Sequence, residues 1–208
     1  MRARFDLMVV TDPAIEGWRD ALEAALGAAG ARLAVQVRTH GGSGELRALA
    51  EDLRGMTAAC GAPLLVNDRV EVAAAADGVH LKERGMEVGA ARARLGAGAL
   101  VGASCHDAAG LARRREADYV VLGPFAAVPG KGAPLGAERF GALVRDAQVP
   151  VLALGSVDAR NAGEAIRAGA AGVAVSRAIL ASRDPASETR RILEAIDDAR
   201  AERPLRKA

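Results

Sequence analysis

Residues 149–179, VPVLALGSVDARNAGEAIRAGAAGVAVSRAI, restrict the fold more than any other part of the chain. The runs 149–154 and 172–175 are continuously apolar, as strands covered on both faces are, and do not show the alternation of a half-exposed strand. Between them, 161–168 has the composition and length of a short helix. A strand, a helix and a second strand so close together make a parallel pair joined by a crossover. Both strands end in small or polar residues, Gly155-Ser156 and Ser176-Arg177, that turn into helices. Backbone amides at such turns hold anions without needing a charged side chain. The last two strands of a (β/α)8 barrel hold phosphate in this way. Gly155, Ser156, Ser176 and Arg177 are therefore the candidate phosphate grip.

The same alternation runs through the whole sequence. Strand candidates fall at 5–10, 33–37, 63–66, 78–81, 99–102, 119–122, 149–154 and 172–175. Helical segments are expected at 17–29, 43–60, 70–75, 88–95, 108–116, 137–146, 162–168 and 189–201. Eight units in 208 residues predict a single α/β domain over 1–208, a (β/α)8 TIM barrel near the lower length limit of that fold, with a frayed tail at 201–208. A doubly wound open sheet is the rival, and the even spacing favours the barrel. Only 2% of the chain is aromatic although 50% is hydrophobic, so Ala, Val, Leu and Gly must fill the interior.

Several function classes drop out. The net charge is +2, and arginines are dispersed among acids, with no basic face carrying stacking aromatics, so nucleic acid is not an expected partner. The arginines at 113–115 read as a solvated helix face. No run reaches the roughly 18 apolar residues of a membrane span. The N-terminal apolar run is too short for a signal peptide and stops at Thr11-Asp12-Pro13. Cys60 and Cys105 lack metal-ligand spacing, so a soluble, reduced, cytoplasmic protein is expected. Homo-oligomerisation is left open.

Chemistry in a barrel gathers at the C-terminal strand ends. There the sequence places Thr11 and Asp12, Gln36, Arg38 and His40, Asn67 and Asp68, His80, Lys82 and Glu83, then Ser104, Cys105 and His106. The long Gly/Pro loop after the sixth strand adds Lys131. Asp68 is the leading candidate for a metal or a cationic group, because a carboxylate at a strand end is costly unless something binds it. Its competing role is to cap the next helix. Arg38 is placed to reach into the mouth and pair with phosphate, or to form a plain inter-strand ion pair. His80 reads as a satisfied rim histidine, and Cys105 as a packing residue without a base to activate it. Ser104 is placed as a hydrogen-bond donor to substrate.

The ordered set VTD, VQVR, LLVNDRVEVA, DGVHL, GASCH, DYVVLGP, VPVLALGSV and NAGEAIRAGAAGVAV resembles the thiamine phosphate synthase/TenI superfamily. The resemblance implies coupling of hydroxymethylpyrimidine diphosphate to thiazole phosphate, with Mg2+ and release of pyrophosphate. It assigns Arg38, Lys131 and Ser104 to catalysis. Gln36, Arg38, Asn67, Ser104 and Lys131 would bind substrate, and Asp68 would bind Mg2+. The two late turns become the thiazole-phosphate grip. Several positions depart from the family pattern. His40 stands where a lysine is expected, and Gly85 replaces the second magnesium carboxylate, with Glu83 and Glu87 as neighbouring substitutes. Val128-Pro129-Gly130-Lys131 lacks two hydroxyls, and Arg177 replaces a serine. A TenI-like thiazole tautomerase is the alternative, although Pro124 occupies the position of the histidine some of them use. A non-catalytic binder of phosphate ligands is a third reading.

Overall fold

The structure is a computed structural model, and it describes residues 5–202. Eight parallel strands close into a barrel in sequence order. They are β1 (Leu7–Val10), β2 (Leu33–Val37), β3 (Leu64–Asn67), β4 (Gly78–Leu81), β5 (Leu100–Cys105), β6 (Tyr119–Leu122), β7 (Val151–Leu154) and β8 (Gly172–Val175). The helices are α1 (Trp18–Ala29), α2 (Ser43–Ala59), α3 (Val88–Leu95), α4 (Ala108–Arg113), α5 (Gly136–Val144), α6 (Ala162–Arg167), α7 (Arg177–Leu180) and α8 (Pro185–Ala201).

The barrel expectation holds, with local differences. The segment Val70–Ala75 is a 3-10 helix, since the ten residues between β3 and β4 leave no room for a longer crossover. β5 runs on to Cys105, so Ser104 lies on a strand rather than after one. β1 and β7 begin two residues later than expected. The helix expected over 108–116 stops at Arg113. α8 starts earlier than its apolar periodicity indicates, because Asp184 accepts the Ser187 amide (2.9 Å) and Pro185 opens the first turn. The expected tail falls largely on residues 203–208, which lie outside the described residues.

Side-chain alternation sorts the strands into two cores. Leu7, Val9, Leu33, Val35, Leu64, Val66, Val120 and Val173 point outward and pack under the helices. Met8, Ala34, Leu65, Leu100, Tyr119, Val121, Leu152 and Ala174 point inward and fill the barrel. With so few aromatics, one ring has a large share of that interior. Tyr119 is completely buried, and Phe5 closes on it from below, edge to face at 5.2 Å. The ring fits because Gly102 lies beside it in the β5–β6 register: a Cβ there would fall 2.0 Å from Tyr119 Cζ.

Gly102→Ala is expected to lower the unfolding free energy in urea by about 1–3 kcal/mol, the range for overpacking. Combining it with Tyr119→Leu should recover part of the loss. Strict additivity of the two changes would mean the contact is not the cause.

Candidate active site

Continuing the inward alternation toward the C-terminal ends carries the argument from core to chemistry. Ala34 is followed by Gln36 and Arg38, Leu65 by Asn67, Gly78 by His80 and Lys82, and Gly102 by Ser104. Gln36 donates to Asn67 Oδ1 (2.9 Å), which fixes the Asn67 amide across β2 and β3. His80 is fully buried between two hydroxyls, with Nδ1 2.9 Å from Tyr119 and Nε2 2.9 Å from Ser104. Burial outweighs the attraction of the Asp68 charge and pushes the imidazole pKa down to about 4, so the ring is neutral at physiological pH. A neutral imidazole has one donor and one acceptor. Among the described residues His80 is the hydroxyl partner recorded for Tyr119, and burial raises the phenol pKa. Tyr119 therefore donates to Nδ1, Nε2–H donates to Ser104, and the Ser104 hydroxyl hydrogen is left to donate into the mouth. Tyr119 thereby enters the site as a support that composition alone did not reveal.

Arg38 is held by its backbone. Its amide donates to Thr11 Oγ1 (2.8 Å), and the Thr11 hydroxyl donates to the Arg38 carbonyl (2.9 Å). Arg38, together with Thr39 and His40, borders two adjoining cavities. One, about 190 Å3, is lined by Thr11, Asp12, Arg38, His40, Leu154 and Ser176 among others. The other, about 260 Å3, takes in Arg38, His40, Asn67, Arg69 and Lys82. Arg38 thus joins the Ser176 side of the mouth to the Asn67 side. A larger cleft of about 1,030 Å3 opens at the opposite end, around Arg54, Asp77 and Leu100. That end of a barrel serves stability rather than chemistry.

Asp68 sits at φ 65, a left-handed conformation that turns its carboxylate back over the end of β4. Its amide donates to the His80 carbonyl (2.8 Å), its Oδ1 accepts the Lys82 amide (3.2 Å), and its Oδ2 lies 3.1 Å from Lys82 Nζ. The helix-capping role is not realised: the following 3-10 helix has Arg69 at its N-cap and no side-chain cap. The two acids expected as substitute ligands face other partners. Glu83 lies 3.9 Å from His106, and Glu87 lies 3.6 Å from Arg114. Among the described residues no group of three or more His, Cys, Asp or Glu side chains is arranged to hold a metal.

Arg114 corrects the reading of 113–115 as a solvated face. It is 1% exposed and donates to the carbonyls of Met86 (2.7 Å), Glu83 (3.0 Å) and Lys82 (3.1 Å). α4 has ended, so Arg114 is free to turn inward and staple the β4–α3 loop to the barrel. Cys105, as expected, is buried, and burial raises its thiol pKa to about 11. It has no nucleophilic character at neutral pH.

The late turns keep the expected shape with a different use of one side chain. Gly155 has φ 113 and Ser156 φ 47. A Cβ at Gly155 would lie 2.8 Å from Pro124, so this turn is pressed against the β6 loop. The Ser156 hydroxyl donates to the Ala127 carbonyl (2.7 Å), and Asn161 donates to the Ser156 carbonyl (3.0 Å). Ser156 therefore braces the loop that carries Lys131, and what the turn offers an anion is its backbone. Ser176 heads α7 without a side-chain cap, and the first amides of α7 have no earlier helical turn to donate to. Arg177 is exposed. Lys131 is exposed on the turn closed by its own amide to the Val128 carbonyl (3.1 Å), and it lines neither mouth cavity.

A closed parallel barrel with a polar C-terminal mouth and small-residue turns after its last two strands defines the class: a (β/α)8 barrel. The thiamine monophosphate synthase family (TMP-TENI) matches residues 7–179, and the chain belongs to that family. A Geobacter sulfurreducens protein is 42% identical over 198 residues, covering 91% of this chain and 93% of its own length. A Chloroflexus aurantiacus protein named thiamine-phosphate synthase is 36% identical over 197 residues, covering 89% of this chain and 90% of its own. Among solved structures, thiamine phosphate pyrophosphorylase from Pyrococcus furiosus superposes with a TM-score of 0.84 at 27% identity, covering 95% of this chain and 98% of that one.

Two outcomes follow from the buried groups. Because the folded His80 pKa of about 4 lies below the ordinary value of 6.5, the unfolded chain binds more protons between those values. Stability is then full above pH 6.5 and falls as pH drops toward 4, by up to about 3 kcal/mol. Denaturant titrations at pH 7 and pH 5 should show this, with a flatter dependence for His80→Gln; equal slopes for the two proteins would refute it. Arg114→Met, which strands three carbonyls, should cost at least about 2 kcal/mol and open the 82–87 loop to proteolysis. An intact loop in a folded Arg114→Met protein would rule out the staple.

Proposed function

We propose that this protein couples hydroxymethylpyrimidine diphosphate to thiazole phosphate and releases pyrophosphate, the thiamine phosphate synthase reaction. The observation that carries the reading is Arg38, which stands between a cavity bordered by Ser176 and one bordered by Asn67 and Lys82. Two anionic substrates that must react with one another call for two anion sites sharing a cation at their junction.

In this reading the thiazole phosphate lies on the backbone of the turns at Gly155-Ser156 and Ser176-Arg177, and the diphosphate lies toward Lys82. The carbon–oxygen bond to the diphosphate breaks with its electron pair leaving on oxygen, and the thiazole forms the new bond to the pyrimidine methylene carbon. Arg38 meets the charge that develops on the leaving group, an interaction stronger in the transition state than in the ground state. Gln36 and Asn67, already bonded to each other, orient the pyrimidine, and Ser104 donates from its His80-bound hydroxyl. Lys131 closes from the β6–α5 loop over the diphosphate and excludes water. Its exposed turn is the part of the site that must move.

The family is consistent with a Mg2+ requirement. The residues present do not make a resident metal site, however: Asp68 is the single carboxylate at the position, it already holds Lys82, and Glu83 and Glu87 are turned to His106 and Arg114. The tautomerase alternative has less support: Pro124 offers no base, His80 is buried with both nitrogens occupied, and His106 Nδ1 is taken by the Gly123 carbonyl, so His40 at the mouth would have to serve. Both cysteines are unpaired, in keeping with a cytoplasmic setting for this reaction.

The test is release of pyrophosphate with both substrates, followed by identification of thiamine phosphate. Turnover should require both, and Arg38→Ala should lower kcat/KM by about 10^2–10^3, the scale for losing one preorganised charge-stabilising group. Pyrophosphate release from the pyrimidine substrate alone at the full rate would overturn the coupling reading. An unchanged rate in Arg38→Ala would remove Arg38 from its role.

A further inference from the structure

We propose that the ammonium of Lys82, seated on Asp68, is the resident cation of this site and takes the place of a divalent metal ion in holding the diphosphate. The proposal deepens the coupling reading and rests on it for its catalytic arm. Three observations lead to it.

Lys82 follows His80 in the inward alternation of β4, so its side chain rises into the mouth, where it lines the cavity shared with Arg38, His40, Asn67 and Arg69. Its Nζ is 3.1 Å from Asp68 Oδ2 while 63% of the side chain stays exposed. The ammonium is therefore fixed on one side by a carboxylate and open to a ligand on the other. Its backbone is fixed as well. The Lys82 amide donates to Asp68 Oδ1, and its carbonyl accepts from the buried Arg114.

The loop keeps the shape of a two-carboxylate site but supplies only one acid. A Cβ at Gly85 would meet Asp68 Oδ1 at 2.6 Å, so residue 85 lies directly against Asp68 and offers no side-chain oxygen. Glu83 and Glu87 are held by other partners.

The charges balance in the same way. Two carboxylates with a divalent ion sum to zero, and so do one carboxylate with one ammonium. Losing an acid while retaining a required metal would leave the empty site one charge less acidic and the metal weakly held. Replacing the metal by Lys82 restores the balance, and the two N–H donors that Asp68 does not engage then face the diphosphate oxygens. No proton transfer is needed, because the leaving group departs with the carbon–oxygen electron pair and Lys82 meets its charge through hydrogen bonds.

The experiment uses the full-length protein and two direct binding probes. Mn2+ binding is followed by electron paramagnetic resonance, and inorganic pyrophosphate binding by calorimetry in excess EDTA. The wild type should bind pyrophosphate without metal and show no stoichiometric Mn2+ site. Lys82→Ala should weaken metal-free pyrophosphate binding at least tenfold, Lys82→Arg should keep most of it, and Lys82→Ala/Gly85→Asp should gain a Mn2+ site that Asp68→Asn removes. The proposal fails if the wild type binds one Mn2+ through Asp68, or if Lys82→Ala leaves metal-free pyrophosphate affinity unchanged. Coupling assayed in EDTA separates the two readings. Lys82-dependent pyrophosphate binding with no turnover under any condition supports the cation assignment and sinks the coupling reading. Turnover that stops in EDTA and is insensitive to Lys82→Ala sinks the cation assignment and leaves coupling standing.

Discussion

Every aimed side chain in this protein depends on the seam where β8 meets β1. Leu7, Met8 and Val9 pair with Val173, Ala174 and Val175, and that pairing turns an open sheet into a ring without edges. Asp6 reinforces the seam from below. Its carbonyl accepts the Val173 amide, its amide donates to Arg32, and its carboxylate holds Arg32 (2.6 Å) and Arg200 of α8 (2.7 Å). Burial alone would raise the Asp6 pKa, but the hydrogen bonds from Arg200 and Arg32 outweigh it and hold the carboxyl below its ordinary value. Once the ring is closed, alternation has a fixed inside. Residues two apart on each strand must climb from the packed interior to the mouth. Gln36, Asn67, His80 and Ser104 converge for that reason and not because each position was shaped separately.

The interior sets what those residues can do. Built from small aliphatics, it has space for one ring in its centre, and Gly102 makes that space. Tyr119 is hydrophobic filling along most of its length and a hydrogen-bond donor at its tip. The tip organises His80, and His80 organises Ser104. A neutral imidazole locked between two hydroxyls is a poor proton acceptor at neutral pH, so this network positions rather than titrates. The site therefore suits a reaction that needs oriented dipoles and fixed charge more than one that needs a general base.

Much of this was legible in the sequence. The strand runs were short, continuous and evenly spaced, and the barrel followed from counting them. The rim residues followed from strand ends. What stayed hidden involves contacts between distant segments. Arg114 belongs to a run that looks like a solvated helix face, and only the end of α4 one residue earlier lets it turn under the β4–α3 loop. The cap reading of Asp68 fails because its left-handed backbone, which swings it over β4 to Lys82, has no local signature in a non-glycine residue. Ser156 is expected to offer an anion its backbone; that its hydroxyl supports the neighbouring loop through the Ala127 carbonyl has no signal in the sequence. The inward period that places Gln36 and His80 also places Lys82, one step further than the strand itself extends.

The staple under the β4–α3 loop bears on how the cation at Asp68 acts. A lysine on a free loop loses side-chain entropy when it grips a ligand, and its charge is screened by water until then. Lys82 is not on a free loop: Arg114 fixes its carbonyl, Asp68 fixes its amide, and the Asp68 carboxylate holds its ammonium in place before substrate arrives. Charge stabilisation is most effective when the stabilising group need not reorganise as the reaction proceeds. A metal ion achieves this through a rigid coordination shell. Here the same end is reached with a buried guanidinium under the loop, a carboxylate beside it and an ammonium on top, and each of the three is held by the barrel end on which it sits.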